Sequence, residues 1–469
     1  MKRLFLIILS GLLMVKLAVL STGCANIIPP EGGPRDSLPP RLLKADPADS
    51  TRRFDGARIT FTFDEFVEVT NIQENLLVSP LPRTNPVVDY KLKTVTLKLK
   101  DSLEANTTYR FDFGSAIKDF AEGNVLKHFT YTFSTGPYID SLQLTGRVLL
   151  AETGKADSTL IVMLHTSPGD SAVVNEKPRY IAKPDGEGRF LFTNLPAKTF
   201  YIYALKDDGG TKRYMTAKQL FAFADKPVNV SGKTDTVTLY AWGQPTEQPA
   251  TAATLPTRGR TAGNADRRMR YQNSLSDGQQ DLLSDFVMQF EQPLRQFDST
   301  RIRLYMDSAY TPATGYGFIK DSSSKKLTMK TAWAENRLYH LVMEKEFAED
   351  SLGRRLLKTD TLSFRTRKKS DYGSLKLRIR NLEMNRNPVL FFLQNGTIVR
   401  SFPMSGPDLA VSLFLPGEYE LRVLYDENKN GKWDPGQFFG KHKQPEIARP
   451  IERRLTIKPG WQNEFELAL

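Results

Sequence analysis

The chain has 469 residues, 40% hydrophobic and 25% charged, which is enough to bury several cores and too long for one ordinary sandwich domain. Its single cysteine excludes a disulfide framework and a multi-cysteine zinc site. The formal charge of +12 is spread among acidic residues along the chain, as on solvated sheet faces, so nucleic acid is not expected as a partner.

The N-terminus reads as an address. Met1, Lys2 and Arg3 form a positive start, residues 4–15 and 17–20 are apolar, and Ser21-Thr22-Gly23 supply small residues. This is the layout of a signal peptide over residues 1–23, and Lys16 interrupts a stretch already short for a membrane span. Small residues running directly into Cys24 resemble the processing site of bacterial lipoproteins, although Ser21 stands where that family carries an aliphatic residue. The resemblance implies acylation of Cys24, a membrane held through that lipid anchor, and a cell-envelope, outer-membrane location with either face open. Residues 24–38 form a Pro/Gly-rich tether.

From Arg41 onward the apolar period is two. Ile59, Phe61 and Phe63 alternate with Thr60 and Thr62; Tyr109, Phe111 and Phe113 alternate with Arg110 and Asp112; Phe129, Tyr131 and Phe133 alternate with Thr130 and Thr132. Such strands, separated by Pro, Asn, Asp and Gly clusters, predict an antiparallel sandwich. With Pro39-Pro40, Asp119 and Gly123-Asn124, residues 39–137 resemble the bacterial Ig-like domain of S-layer proteins.

Residues 138–242 carry Gly146, Gly154, the turn Asp185-Gly186-Glu187-Gly188 before Arg189-Phe190, and Leu195-Pro196. These resemble the carboxypeptidase-regulatory-like, transthyretin-like module. Residues 243–274 are low in apolar bulk and basic at their end, and read as a linker. Then the pattern repeats. Residues 285–291 mirror 59–65, residues 338–341 mirror the strand at 109–113, and Glu349 to Gly353 echo the Asp119 turn, giving a degenerate Ig-like domain over 275–368. Residues 369–469 echo the second module, with Leu415-Pro416 set against Leu195-Pro196. The expected fold is all-β: tandem antiparallel β-sandwiches, Ig-like and transthyretin-like in alternation.

One loop has the chemistry of a metal site. Asp426, Asn428, Asn430 and Asp434 place oxygens at ligand spacing, and Gly431 permits the turn between them. The loop reads either as a weak Ca²⁺ site or as an Asx-rich turn whose side chains bond their own backbone, because Gln437 stands where a bidentate Glu would close the shell. Trp433, within that loop, is the candidate for stacking on a sugar ring. Catalytic motifs are lacking: Ser322 to Lys325 gives a bare S-x-x-K without its partner motifs, in a stretch that reads as a hairpin tip. The expected function is that of a non-catalytic, lipid-anchored envelope protein whose sandwiches act as spacers and interaction modules toward an envelope protein or glycan. The rival is a Ca²⁺-assisted glycan-binding accessory lipoprotein.

Overall fold

The computed structural model describes residues 10–11, 36–232, 236–244 and 268–469. The signal peptide, Cys24, most of the tether and residues 245–267 of the linker lie outside the described residues. Among the described residues no helix is long and apolar enough to cross a membrane. The chain divides into two compact units: one runs to Gln143 and includes Arg179–Ile181 and Thr193–Ala197, and the other comprises the remainder from Leu144 to Leu469.

The first unit holds the Ig-like sandwich. One sheet orders the strands Leu42–Asp46, Arg58–Phe63, Thr94–Lys98 and Val87–Lys91; the other orders Leu77–Ser79, Thr108–Asp112 and Thr130–Ser134. The period of two works as read: Ile59, Phe61 and Phe63 are buried with Val95, Leu97, Phe111, Tyr131 and Phe133 in one aromatic-rich core. Phe61 meets Phe113, Phe129 and Tyr131 edge to face, with ring centroids 5.1–5.6 Å apart.

In the second unit the strands repeat this order. The third sandwich pairs Tyr271–Asn273, Phe286–Phe290, Lys326–Lys330 and Gly317–Lys320 in one sheet, and places Leu338–Met343 between Ile302–Met306 and Asp360–Thr366 in the other. Two expectations are corrected here. Tyr271 pairs with Phe290 and Met269 is buried in this core, so residues 269–273 belong to the sandwich rather than to a linker ending at 274. The mirrored strand is also one residue out of step. Phe63 N–H donates to Lys93 O and Phe290 N–H to Lys325 O, so Phe290 answers Phe63 and Glu291 answers Asp64. Side chains alternate faces, so a one-residue slip would turn the apolar set outward.

A shared clasp marks both Ig-like sandwiches. Tyr109 Oη accepts from Glu104 N–H at 2.9 Å, and Tyr339 Oη from Ala334 N–H at 3.4 Å. Thr135 Oγ1 donates to Glu104 O at 2.7 Å and accepts from Thr107 N–H at 2.9 Å. Thr366 Oγ1 donates to Ala334 O at 2.6 Å and accepts from Arg337 N–H at 2.8 Å. The turn acids also match. Asp119 accepts from the N–H groups of Glu122, Gly123 and Asn124, and Asp350 from those of Leu352 and Arg354. Burial pushes the Asp119 carboxyl up, but those donors outweigh it and hold the group below the usual carboxylate range.

The other two sandwiches share a different order. Arg189–Leu195, Leu142–Leu150 and Val237–Ala241 form one sheet of the second; Asp408–Phe414, Gly373–Arg380 and Gln462–Ala468 form its counterpart in the fourth. In both, the first and last strands pair in parallel. Gly146 makes that closure fit, since a Cβ there would lie 2.1 Å from the Phe190 ring and 2.3 Å from Val237 O. The facing sheets centre on Lys198–Lys206 and Gly417–Tyr425, which match in length and burial pattern. That match sets Leu195 against Phe414, so the Leu415-Pro416 turn comes one residue later than Leu195-Pro196.

Candidate functional site

The site builds on the connection between Gly417–Tyr425 and Ile447–Ile457 of the fourth sandwich. Its first part, residues 426–434, closes on itself. Asp426 is buried, and its carboxylate accepts from Asn430 N–H at 3.2 Å and Gly431 N–H at 2.6 Å. The amides of Asn428 and Asn430 both donate to Asp434 Oδ2, the latter at 2.8 Å. Their carbonyl oxygens accept from Asn430 N–H at 3.0 Å and Lys432 N–H at 2.7 Å.

Glu446, which the sequence reading passed over, organises the loop from the far end. Its carboxylate accepts from Glu427 N–H at 2.9 Å and Asp434 N–H at 3.0 Å. Burial, with the charges of Asp426 and Asp434, pushes its carboxyl above the usual range against the pull of those two donors. It lies twelve residues beyond Asp434, outside any ligand spacing, so no local motif announced it.

Oxygen donors suit a hard cation such as Ca²⁺. Here the Asn oxygens are turned to backbone N–H groups and the amide nitrogens face Asp434. Among the described residues no group of three or more His, Cys, Asp or Glu side chains is placed to hold a metal. As placed, these side chains bond one another and their own backbone, in the manner of an Asx-rich turn.

Trp433 is half-buried against Val389, Phe391, Leu393, Leu424 and Ala448, and its indole N–H donates to Glu446 O at 2.7 Å. The ring packs on its own sheet. Trp242 is buried and Trp333 packs on Tyr339 and Phe364, whereas Trp461 is exposed beneath Lys458. The S-x-x-K stretch is the tip of the hairpin between Gly317–Lys320 and Lys326–Lys330, where Ser323 Oγ donates to Asp321.

The second part of the connection reaches the second sandwich. Phe438 is buried among Tyr203, Phe221, Phe223 and His442, with centroids 5.0–5.8 Å apart. Gly436 lies flat on Trp242, and a Cβ there would stand 2.7 Å from the indole. His442 Nε2 meets Asp170 Oδ2 at 2.7 Å, and Gln444 Nε2 donates to Asp225 Oδ1 at 2.7 Å and Phe223 O at 3.1 Å. Ala448 N–H donates to Ala151 O at 2.8 Å. The second and fourth sandwiches are thus joined directly, although the third lies between them in sequence. The adjacent pair Phe438 and Phe439 stands alone in a polar connection and sets no period, so the sequence did not signal this clamp.

Comparison with known proteins identifies one segment. Residues 36–135 match the family described as the bacterial Ig-like domain. No curated protein matches the chain. Among solved structures, native alpha-2-macroglobulin from Escherichia coli is 14% identical over 40% of this chain and 72% of that one, with a TM-score of 0.20. The N-terminal part of a bacterial S-layer protein is 15% identical over 44% of each chain, with a TM-score of 0.16. The Bacillus anthracis TIE protein is 10% identical over 94% of this chain and 76% of that one, with a TM-score of 0.18.

Proposed function

We propose that this chain, whose residues 36–135 are a bacterial Ig-like domain, is a non-catalytic envelope protein anchored through an acylated Cys24, with alternating sandwiches that hold an interaction surface away from the anchor. The observation that carries the reading is the clamp of the fourth sandwich on the second. Phe438, Gly436, His442 and Gln444 close the second unit upon itself, as a rigid spacer requires and a string of loose beads does not. Two further features support it. The repeated strand orders supply edges such as Val87–Lys91 and Thr397–Pro403 that another chain could extend. A lipid anchor raises the local concentration of every module behind it.

The test is cross-linked co-purification from the native envelope with a C-terminally tagged chain. The expected result is one dominant protein partner whose recovery falls when Val87–Lys91 or Thr397–Pro403 is blocked by proline. Recovery of envelope polysaccharide without a protein partner would overturn the reading in favour of glycan binding. Loss of glycan retention in Trp433→Ala would then identify the indole as its platform.

A further inference from the structure

The two Ig-like sandwiches differ at one end, and in the first that end is apolar. Leu43, Phe66, Leu92 and Phe120 are exposed at 60%, 52%, 63% and 69%. Backbone bonds gather them: Phe120 N–H donates to Phe66 O at 2.9 Å and Val67 N–H to Leu92 O at 3.0 Å, while Leu43 lies in the strand that reaches Phe63. Lys93 lies over the Phe66 ring at 5.7 Å.

The third sandwich makes the same bonds with other residues. Ser351 N–H donates to Pro293 O at 2.8 Å, and Leu294 N–H to Ser324 O at 2.7 Å. Phe66, Leu92 and Phe120 are therefore replaced by Pro293, Ser324 and Ser351, while Leu43 is the extra residue where the pairing shifts between Leu42 and Lys44 and has no counterpart in the unshifted Tyr271–Asn273 pairing. Leu352 is the one exposed apolar side chain of that turn. The fold does not require apolar residues at these positions, so their presence in the first copy calls for a separate cause.

Chain direction supplies the cause. The described chain enters at this end: Asp36 O accepts from Asn124 Nδ2 at 3.1 Å, beside Phe120, and Asp36 Oδ1 accepts from Leu38 N–H. It leaves at the other end, where Gly136 lies against Asn106 and Thr135 N–H donates to Thr107 O. Cys24 precedes Asp36 by twelve residues, a reach of at most ~40 Å even when fully extended. Whatever surface holds Cys24 is within reach of this end.

We infer that the Leu43, Phe66, Leu92 and Phe120 end of the first sandwich seats in the interface of a phospholipid bilayer. The inference rests on the anchoring reading, and adds a protein contact to the lipid one. Exposed apolar side chains on loop tips enter the boundary between headgroup and acyl chain, and each adds to an anchor that is marginal with few chains. The contact is apolar rather than electrostatic, because Asp36, Asp64, Glu65 and Glu122 stand beside Arg41 and Lys93 at the same end.

The experiment uses the chain from residue 25 onward, which keeps every described residue of the sandwiches and carries no acyl group. It is floated with vesicles of phosphatidylethanolamine and phosphatidylglycerol. The expected result is flotation that falls about fivefold or more in Phe66→Ser with Phe120→Ser, the latter the third copy's own residue, and that is unchanged in Tyr138→Ser beyond the opposite end. Melting temperatures of the variants establish that they are folded. Absence of flotation in the parent chain, or equal flotation of the double variant, overturns the inference. Mass analysis of the N-terminal peptide of the envelope-extracted full chain separates the two ideas. Unmodified Cys24 with Phe-dependent flotation removes the anchor and keeps the seat. Acylated Cys24 with Phe-independent flotation keeps the anchor and removes the seat.

Discussion

The second and fourth sandwiches have the same strand order and the same burial along their central strands, yet they treat one connection in opposite ways. After Lys198–Lys206 the second makes a short turn in which Asp207 Oδ1 accepts from Lys212 N–H at 3.0 Å, and Lys206 reaches Asp208 at 3.9 Å. After Gly417–Tyr425 the fourth makes a turn held by Asp426, Asp434 and Glu446 and then sends Phe438 into its sister module. A shared scaffold therefore fixes where a connection leaves the sheet and leaves its use open. The functional difference between copies lies in loops, where insertions cost little of the core.

The largest effect expected from breaking this asymmetry is at Phe438. Phe438→Ala empties a buried aromatic position and should cost ~3 kcal/mol in urea unfolding. Amide exchange of the strands Phe221–Phe223 and Lys198–Lys206 should speed up with it. The matching change in the second sandwich's own turn, Thr211→Ala, should stay within ~0.5 kcal/mol, since that side chain is exposed. Equal effects at the two positions would show that the fourth sandwich does not depend on its clamp.

The same two modules differ at His165. It pairs with Tyr201, and its structural counterpart is Leu393, which pairs with Glu420. Burial, opposed by Glu176, pushes the His165 imidazole down to about 4, and its Nε2 has no hydrogen-bond partner. Between that value and the ordinary value near 6.5 the unfolded chain binds the extra proton, so stability falls as pH drops from about 6.5 toward 4. The loss is on the order of 3 kcal/mol. His165→Leu, the fourth sandwich's solution, should flatten that acid-side slope in urea titrations at pH 7 and pH 5. An unchanged slope would place its cause elsewhere.

The Ig-like pair offers a smaller test. Thr366→Val removes one hydroxyl that donates to Ala334 O and accepts from Arg337 N–H, and should cost ~1–2 kcal/mol. Thr135→Val should do the same in the first copy. A cost in one copy alone would mean that the clasp is shared in geometry but not in energy.

These outcomes bear on what the sequence made legible. Alternation wrote the strands, because half-buried sheets must alternate, and Ile59, Phe61 and Phe63 sit where they were expected. The repeat was legible through its turn acid, since Asp350 does what Asp119 does. Its register was not: Phe286, Met288 and Phe290 share little with Ile59, Phe61 and Phe63, and only backbone bonds fix the alignment. The roles of Trp433, Glu446 and Phe438 were hidden for another reason. Each is set by a contact far along the chain, and single side chains in a connection carry no period.

The smallest effect is expected where the sequence raised the most chemistry. Ca²⁺ uptake by residues 426–434 would require Asn428 and Asn430 to turn their amides over, losing their bonds to Asp434 and those of their oxygens to Asn430 and Lys432 N–H. The melting temperature should therefore be the same in millimolar Ca²⁺ and in chelator. Glu446 gives an independent reading of the same loop. Its carboxyl lies above the usual range, so the folded chain holds a proton that the unfolded chain has released, and this contribution to stability is full below about 4.5 and fades as pH rises through the raised value. Glu446→Gln should remove that slope, opposite in sign to the one from His165. If millimolar Ca²⁺ also removes it in the parent chain, then the negative charges of Asp426, Asp434 and Glu446 are being met by the ion, and the loop is a cation site rather than a self-bonded turn. If Ca²⁺ leaves the slope intact, the three carboxylates serve the turn, and the turn serves to aim Phe438.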